Sequence, residues 1–155
     1  MTETTGLRDT MAAQMKEAMK AGEKTRVGAL RLVMAALKDR EIEARGAGKI
    51  VSRADELALL TKMVKTRQES LAIYQQAGRQ DLATQESAEI AVIGEFLPKQ
   101  MEEAEVTAAA KAAIAEAGAT SLRDMGKVVN ALKERYPGQM DFAKASAIVK
   151  ALLTA

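Results

Sequence analysis

Between Ser52 and Pro98 the apolar residues recur at steps of three and four, and the pattern breaks once, at Gly78. Leu57, Leu60, Val64, Arg67, Leu71 and Tyr74 form one stripe, and Leu82, Glu86, Glu89, Ile90, Ile93, Phe96 and Leu97 form the next. This is the spacing of a helix that buries one face. Two such helices joined at a glycine fold antiparallel, so facing residue numbers sum to about 157. Leu60 then meets Leu97, Val64 meets Ile93, Leu71 lies near Glu86, and Arg67 lies near Glu89 and Ile90. The cation on the first stripe falls opposite the two acids on the second. The spacing predicts a partly buried ion-pair cluster of Arg67, Glu86 and Glu89 that fixes the hairpin's register, with Ser70 as a hydrogen-bond partner; the rival reading of the same residues is a substrate-anion or catalytic site.

The rest of the chain keeps to helix. Ala occurs 31 times, β-branched and aromatic residues are sparse, and Pro appears only twice, a composition that favours helix over strand. A first helix is expected from Gly6 to Ala21, with Leu7, Met11, Met15, Ala18 and Met19 inward and Gly22 at its end. A second runs from Lys24 to Arg45 on a stripe of Val27, Leu30, Val33, Met34 and Leu37. Gly28 inside it costs about 1 kcal/mol relative to Ala, and a helix crossing closely there would account for it. Gly46, Gly48 and Lys49 mark a loop, and Ser52 and Asp55 suit the start of the third helix, Arg53 to Gln76. The fourth is expected from Gln80 to Leu97, where Pro98 stops it.

Pro98 divides an N-terminal unit, residues 1–98, from a C-terminal unit, residues 99–155. The second reads as three short helices. One spans Glu102 to Ala117 with Val106, Ala110, Ala113 and Ile114 inward, and Gly118 ends it. Another is capped by Ser121 with Asp124 three residues on, buries Leu122, Met125, Val129 and Leu132, and stops before Pro137. The last starts near Asp141 and buries Phe142, Ala145, Ile148, Val149 and Leu152. The expected fold is all-α: a four-helix N-terminal unit built on a central hairpin, then a small three-helix unit.

Absences limit the chemistry. The chain has no Cys and no His, which removes Ser–His–Asp and Cys–His nucleophiles and the common zinc sites. Without strands there is no strand-borne phosphate loop. Glu86 and Glu89 are i,i+3 neighbours, as in di-metal bundles, but the Glu-x-x-His partners are missing. No catalytic residue, metal or cofactor is expected. Met1 to Thr10 lacks the order of a signal peptide and no apolar run reaches membrane-spanning length, so a soluble, cytoplasmic protein without a membrane role is expected.

Two positions keep two readings. Arg79, beside Asp81 in the turn after Gly78, is either a solvated turn residue or a partner contact. The last 35 residues, 121–155, hold 6 basic groups against 3 acidic. There Arg123, Lys127, Lys133 and Lys144 are either an ordinary wet surface or contacts to phosphates. With Tyr136 and Phe142 expected in the core, nucleic acid would be held by backbone and shape rather than by base stacking.

Several stretches together resemble one family. They are Thr25 to Leu37 around Leu30-Arg31-Leu32, Lys65-Thr66-Arg67-Gln68-Glu69-Ser70, and Gly78-Arg79-Gln80-Asp81-Leu82. Glu86 and Glu89, Leu97-Pro98-Lys99-Gln100, and Asp124-Met125-Gly126-Lys127-Val128-Val129 complete the set. The chain resembles the YqeY family, also called GatB/YqeY-domain proteins, over essentially its whole length. Glu102, where members often have a capping Ser, and Val129, where Met is usual, depart from the pattern. The resemblance implies a two-part helical fold similar to the tail of the GatB polypeptide of the glutamyl-tRNA(Gln) amidotransferase, a region that helps hold tRNA. It implies a non-catalytic, tRNA-associated accessory module. Alternatives are a protein-interaction module whose partner belongs to the translation or aminoacylation machinery, or a component of a carbon–nitrogen ligase with glutamine as amide donor. That enzyme's amidase uses a Ser–Ser–Lys arrangement on a larger domain, and its kinase part needs a domain of its own.

Overall fold

Helix starts and glycine stops set the architecture. The computed structural model describes residues 6–155, and all regular structure among them is helical. Seven α-helices follow in order: α1 Leu7–Ala21, α2 Lys24–Gly46, α3 Arg53–Gln76, α4 Gln80–Gly94, α5 Glu103–Ala117, α6 Met125–Arg135 and α7 Phe142–Thr154. A 3₁₀ turn, Leu122–Asp124, precedes α6. The chain forms two compact units, one ending at Phe96 and the other beginning at Leu97.

In the N-terminal unit α3 and α4 are the hairpin. The Ser52 Oγ accepts from the Asp55 N–H at 3.1 Å while Asp55 accepts from the Ser52 N–H at 3.0 Å, a reciprocal cap that fixes where α3 begins. At the other end Gly78 takes φ +70°. The Arg79 N–H then closes on the Tyr74 carbonyl and the Gly78 N–H on that of Gln75, the left-handed stop that glycine adopts without a Cβ penalty. Met11, Leu30, Leu37, Leu60 and Ile93 are fully buried. These five come from four different helices, so burying them joins α1 to α4 in one core.

The C-terminal unit has its own core, in which Val106, Ala110, Ala113, Val128, Leu132, Met140, Ala145 and Val149 are all buried. Its entry is held by Gln100, whose Nε2 donates to the Pro98 carbonyl at 2.9 Å and to the Gly138 carbonyl at 2.7 Å. Next to it the Met101 N–H donates to the Gln139 carbonyl. Glu102 starts α5, where Glu105 accepts from its N–H at 3.4 Å.

Five expectations change. The fourth helix ends at Gly94 instead of Leu97, and the Glu95 and Phe96 N–H groups make tighter i→i−3 bonds instead. Ser121 does not cap with its hydroxyl; Asp124 accepts from the Thr120 N–H at 3.0 Å, which winds the first turn as 3₁₀. Met19 and Leu122 are about half exposed, whereas Val128 is fully buried. That 3₁₀ turn, at three residues per turn, rotates the apolar stripe away from the α-helical count. No helix crosses at Gly28, since a Cβ placed there would meet nothing within 4 Å.

Candidate functional site

The hairpin cluster forms around one pair. Arg67 Nε donates to Glu89 Oε2 at 3.0 Å, and its Nη1 donates to the Met63 carbonyl at 3.3 Å. The two side chains are only 17% and 12% exposed. Gln85 adds a hydrogen bond to Glu89 from one turn earlier. Glu86 stays outside this network: its Oε2 is buried with no hydrogen-bond partner. The Ser70 hydroxyl makes no hydrogen bond among the described residues. A step of three along a helix turns the side chain by about 60° from its neighbour, so a guanidinium aimed at Glu89 does not also reach Glu86.

Glu89 and Gln85 also line a shallow groove of about 570 Å³ between α2 and α4, with Gly28, Leu32, Asp81 and Ala88. At the hairpin tip Arg79 meets Asp81 through two contacts of 3.3 Å. These two side chains are 58% and 67% exposed. The Arg79 guanidinium beside Asp81 and the Leu82 N–H hold the Asp81 carboxyl below its usual value.

A larger cleft, about 930 Å³, opens elsewhere in the N-terminal unit. The start of α1 (Leu7, Thr10), the end of α2 (Glu41, Arg45), the connection Lys49-Ile50-Val51 and the start of α3 (Arg53, Glu56) contribute, with Glu95 and Phe96 after α4. Burial pushes the Glu56 carboxyl above its usual value, against the opposing pull of Arg53 and of the Leu7 N–H that faces it. That N–H matters because Gly6 brings no side chain to cap α1. Sequence reasoning passed over this cleft. The available signal was an aliphatic pair, Ile50-Val51, set beside a lysine in a loop otherwise made of glycine and alanine.

In the C-terminal unit Arg123 lies in the 3₁₀ turn, Lys127 and Lys133 on α6, and Lys144 on α7, all four exposed. None holds an ion pair or a side-chain hydrogen bond among the described residues. Arg135, by contrast, is paired with Glu116 of α5, which holds the Glu116 carboxyl below its usual value. Lys127 and Lys133 are six positions apart, about 120° around the helix, so they do not share one stripe. Tyr136 and Phe142 are partly buried and pack against the core.

Among the described residues no three acidic, His or Cys groups are placed to hold a metal ion. No helix among them is long and apolar enough to cross a membrane. Compared with known families, residues 8–153 match the family model described as Yqey-like protein. No curated protein matches the chain.

Proposed function

This chain belongs to the YqeY family, and from that premise we propose that it works as a non-catalytic, tRNA-associated helical module. The observation that carries this reading is that Arg123, Lys127, Lys133 and Lys144, among other cations of the C-terminal unit, are exposed and hold no ion pair among the described residues. A folded unit that pairs Arg135 with Glu116 yet leaves its other cations exposed and without an ion pair among the described residues has charge to spare for phosphates. Because Arg123, Lys127, Lys133 and Lys144 spread over the 3₁₀ turn, α6 and α7 instead of forming one stripe, they suit a curved sugar–phosphate surface better than a flat one. With Tyr136 and Phe142 packed against the core, affinity comes from the backbone and shape of the RNA.

The test is a fluorescence anisotropy titration of unmodified tRNA with the full chain at several salt concentrations. Binding is expected to weaken steeply with salt, with a log–log slope of about −3 if four phosphates are neutralised. The quadruple change of Arg123, Lys127, Lys133 and Lys144 to Gln abolishes most of that slope. Absence of binding even at low salt, or binding unchanged in the quadruple variant, sinks the reading.

A further inference from the structure

The end of α2 and the connection to α3 display an aliphatic side chain, Ile50, and two cations, Arg45 and Lys49, that hold no ion pair among the described residues. Ile50 is 93% exposed and sits on the rim of the large cleft between Lys49 and Val51. The acids of this cleft have partners. Glu41 accepts from Arg8 and Glu95 from Arg26, each at 2.6 Å, and Glu56 has Arg53 at 3.9 Å. The cations Arg45 and Lys49 hold neither an ion pair nor a side-chain hydrogen bond among the described residues.

A ligand for this surface must bring negative charge to Arg45 and Lys49 and apolar surface to Ile50. It must also tolerate three carboxylates in the lining. A phosphate backbone meets the first demand and fails the other two. A peptide meets all three: its acidic side chains reach the rim cations, an aliphatic side chain covers Ile50, and its N–H groups suit carboxylate and amide acceptors. The cleft, at about 930 Å³, lies within the range of roughly 300–1,000 Å³ that holds a compact ligand. We propose that this cleft docks an acidic peptide segment bearing an aliphatic side chain, presented by a partner protein. The site lies wholly in the N-terminal unit and does not depend on the tRNA reading.

The test is an NMR titration of the full chain with a blocked eight-residue peptide of alternating glutamate and leucine. Saturable shifts are expected at Ile50 and Val51, with affinity falling as salt rises. The double variant R45E/K49E and the single variant I50S each weaken binding, the former by about tenfold. Because Ile50 is exposed, I50S should melt with the wild type, so a loss of binding there is not a loss of fold. The proposal is overturned if no shift occurs at millimolar peptide, or if glutamine-for-glutamate and alanine-for-leucine peptides bind equally well. It is equally overturned if a short oligouridylate binds the same cleft in a manner sensitive to R45E/K49E and indifferent to I50S, which would make the surface a phosphate contact.

Discussion

Arg67 touches Glu89 through Nε and the Met63 carbonyl through Nη1, so truncating it strands a carboxylate that is only 12% exposed. Arg67→Ala should therefore destabilise the fold by about 3 kcal/mol, read from urea denaturation. The double variant R67A/E89A should lose clearly less than the two single losses added together. Glu86 predicts the opposite sign. Its Oε2 is buried without a hydrogen bond, so an apolar side chain of the same length should serve the fold better. Glu86→Met is expected to raise stability by about 1 kcal/mol, and a loss of that size in the same assay would show that the carboxylate holds the hairpin. The pairing of Arg67 with Glu89 was legible because two helical periods and one turn fix the register. The isolation of Glu86 was not, because stripe membership spans a broad arc while a guanidinium hydrogen bond requires a narrow one.

Helix boundaries follow local chemistry where that chemistry is strong. α3 runs from Arg53 to Gln76, as Ser52 and Gly78 imply, since a reciprocal cap and a left-handed glycine each fix one residue. The start of α6 was not legible, because Asp124 had two possible backbone partners and took the Thr120 N–H. Gly28 carries the element-scale prediction. It is helical, exposed and free of any neighbour within 4 Å of a Cβ, so Gly28→Ala should raise stability by about 1 kcal/mol in thermal denaturation. The first turn of α3 adds a pH dependence of two signs. Hydrogen bonds from the Ser52 backbone and side chain hold Asp55 below its ordinary value of 3.8. Its contribution is present above that value and is lost as pH falls through the lower native one. Asp55→Ala should cost about 1 kcal/mol at neutral pH, and the cost should fade in acid. Burial raises Glu56 above 4.5, so the folded state binds that proton more readily. Its favourable contribution is full below 4.5 and is lost as pH rises through the raised value. Glu56→Gln should therefore leave neutral-pH stability equal or higher, in a melt that varies less with pH.

At the scale of the molecule, each unit keeps a buried core of its own, and the C-terminal unit draws its core from Val106 through Val149. A chain of about 60 residues buries a smaller share of its surface than a larger domain and sits near the limit of independent folding. The fragment beginning at Leu97 is nonetheless expected to fold alone, with a helical circular dichroism spectrum and one cooperative urea transition worth about 3–5 kcal/mol. Gln100 makes this prediction specific. Its amide bridges the Pro98 and Gly138 carbonyls, and the neighbouring Met101 N–H is bonded to the Gln139 carbonyl. A fragment that begins instead at Glu102 keeps every fully buried side chain of the core and loses these polar links together with the Met101 side chain, which is partly buried against that core. It should be weaker by about 1–3 kcal/mol, the sum expected for two or three part-buried hydrogen bonds. Equal stability of the two fragments would mean that the Leu97-Pro98-Lys99-Gln100 stretch contributes nothing to this unit, and a fragment from Leu97 that stays unfolded would mean that its core needs the preceding helices.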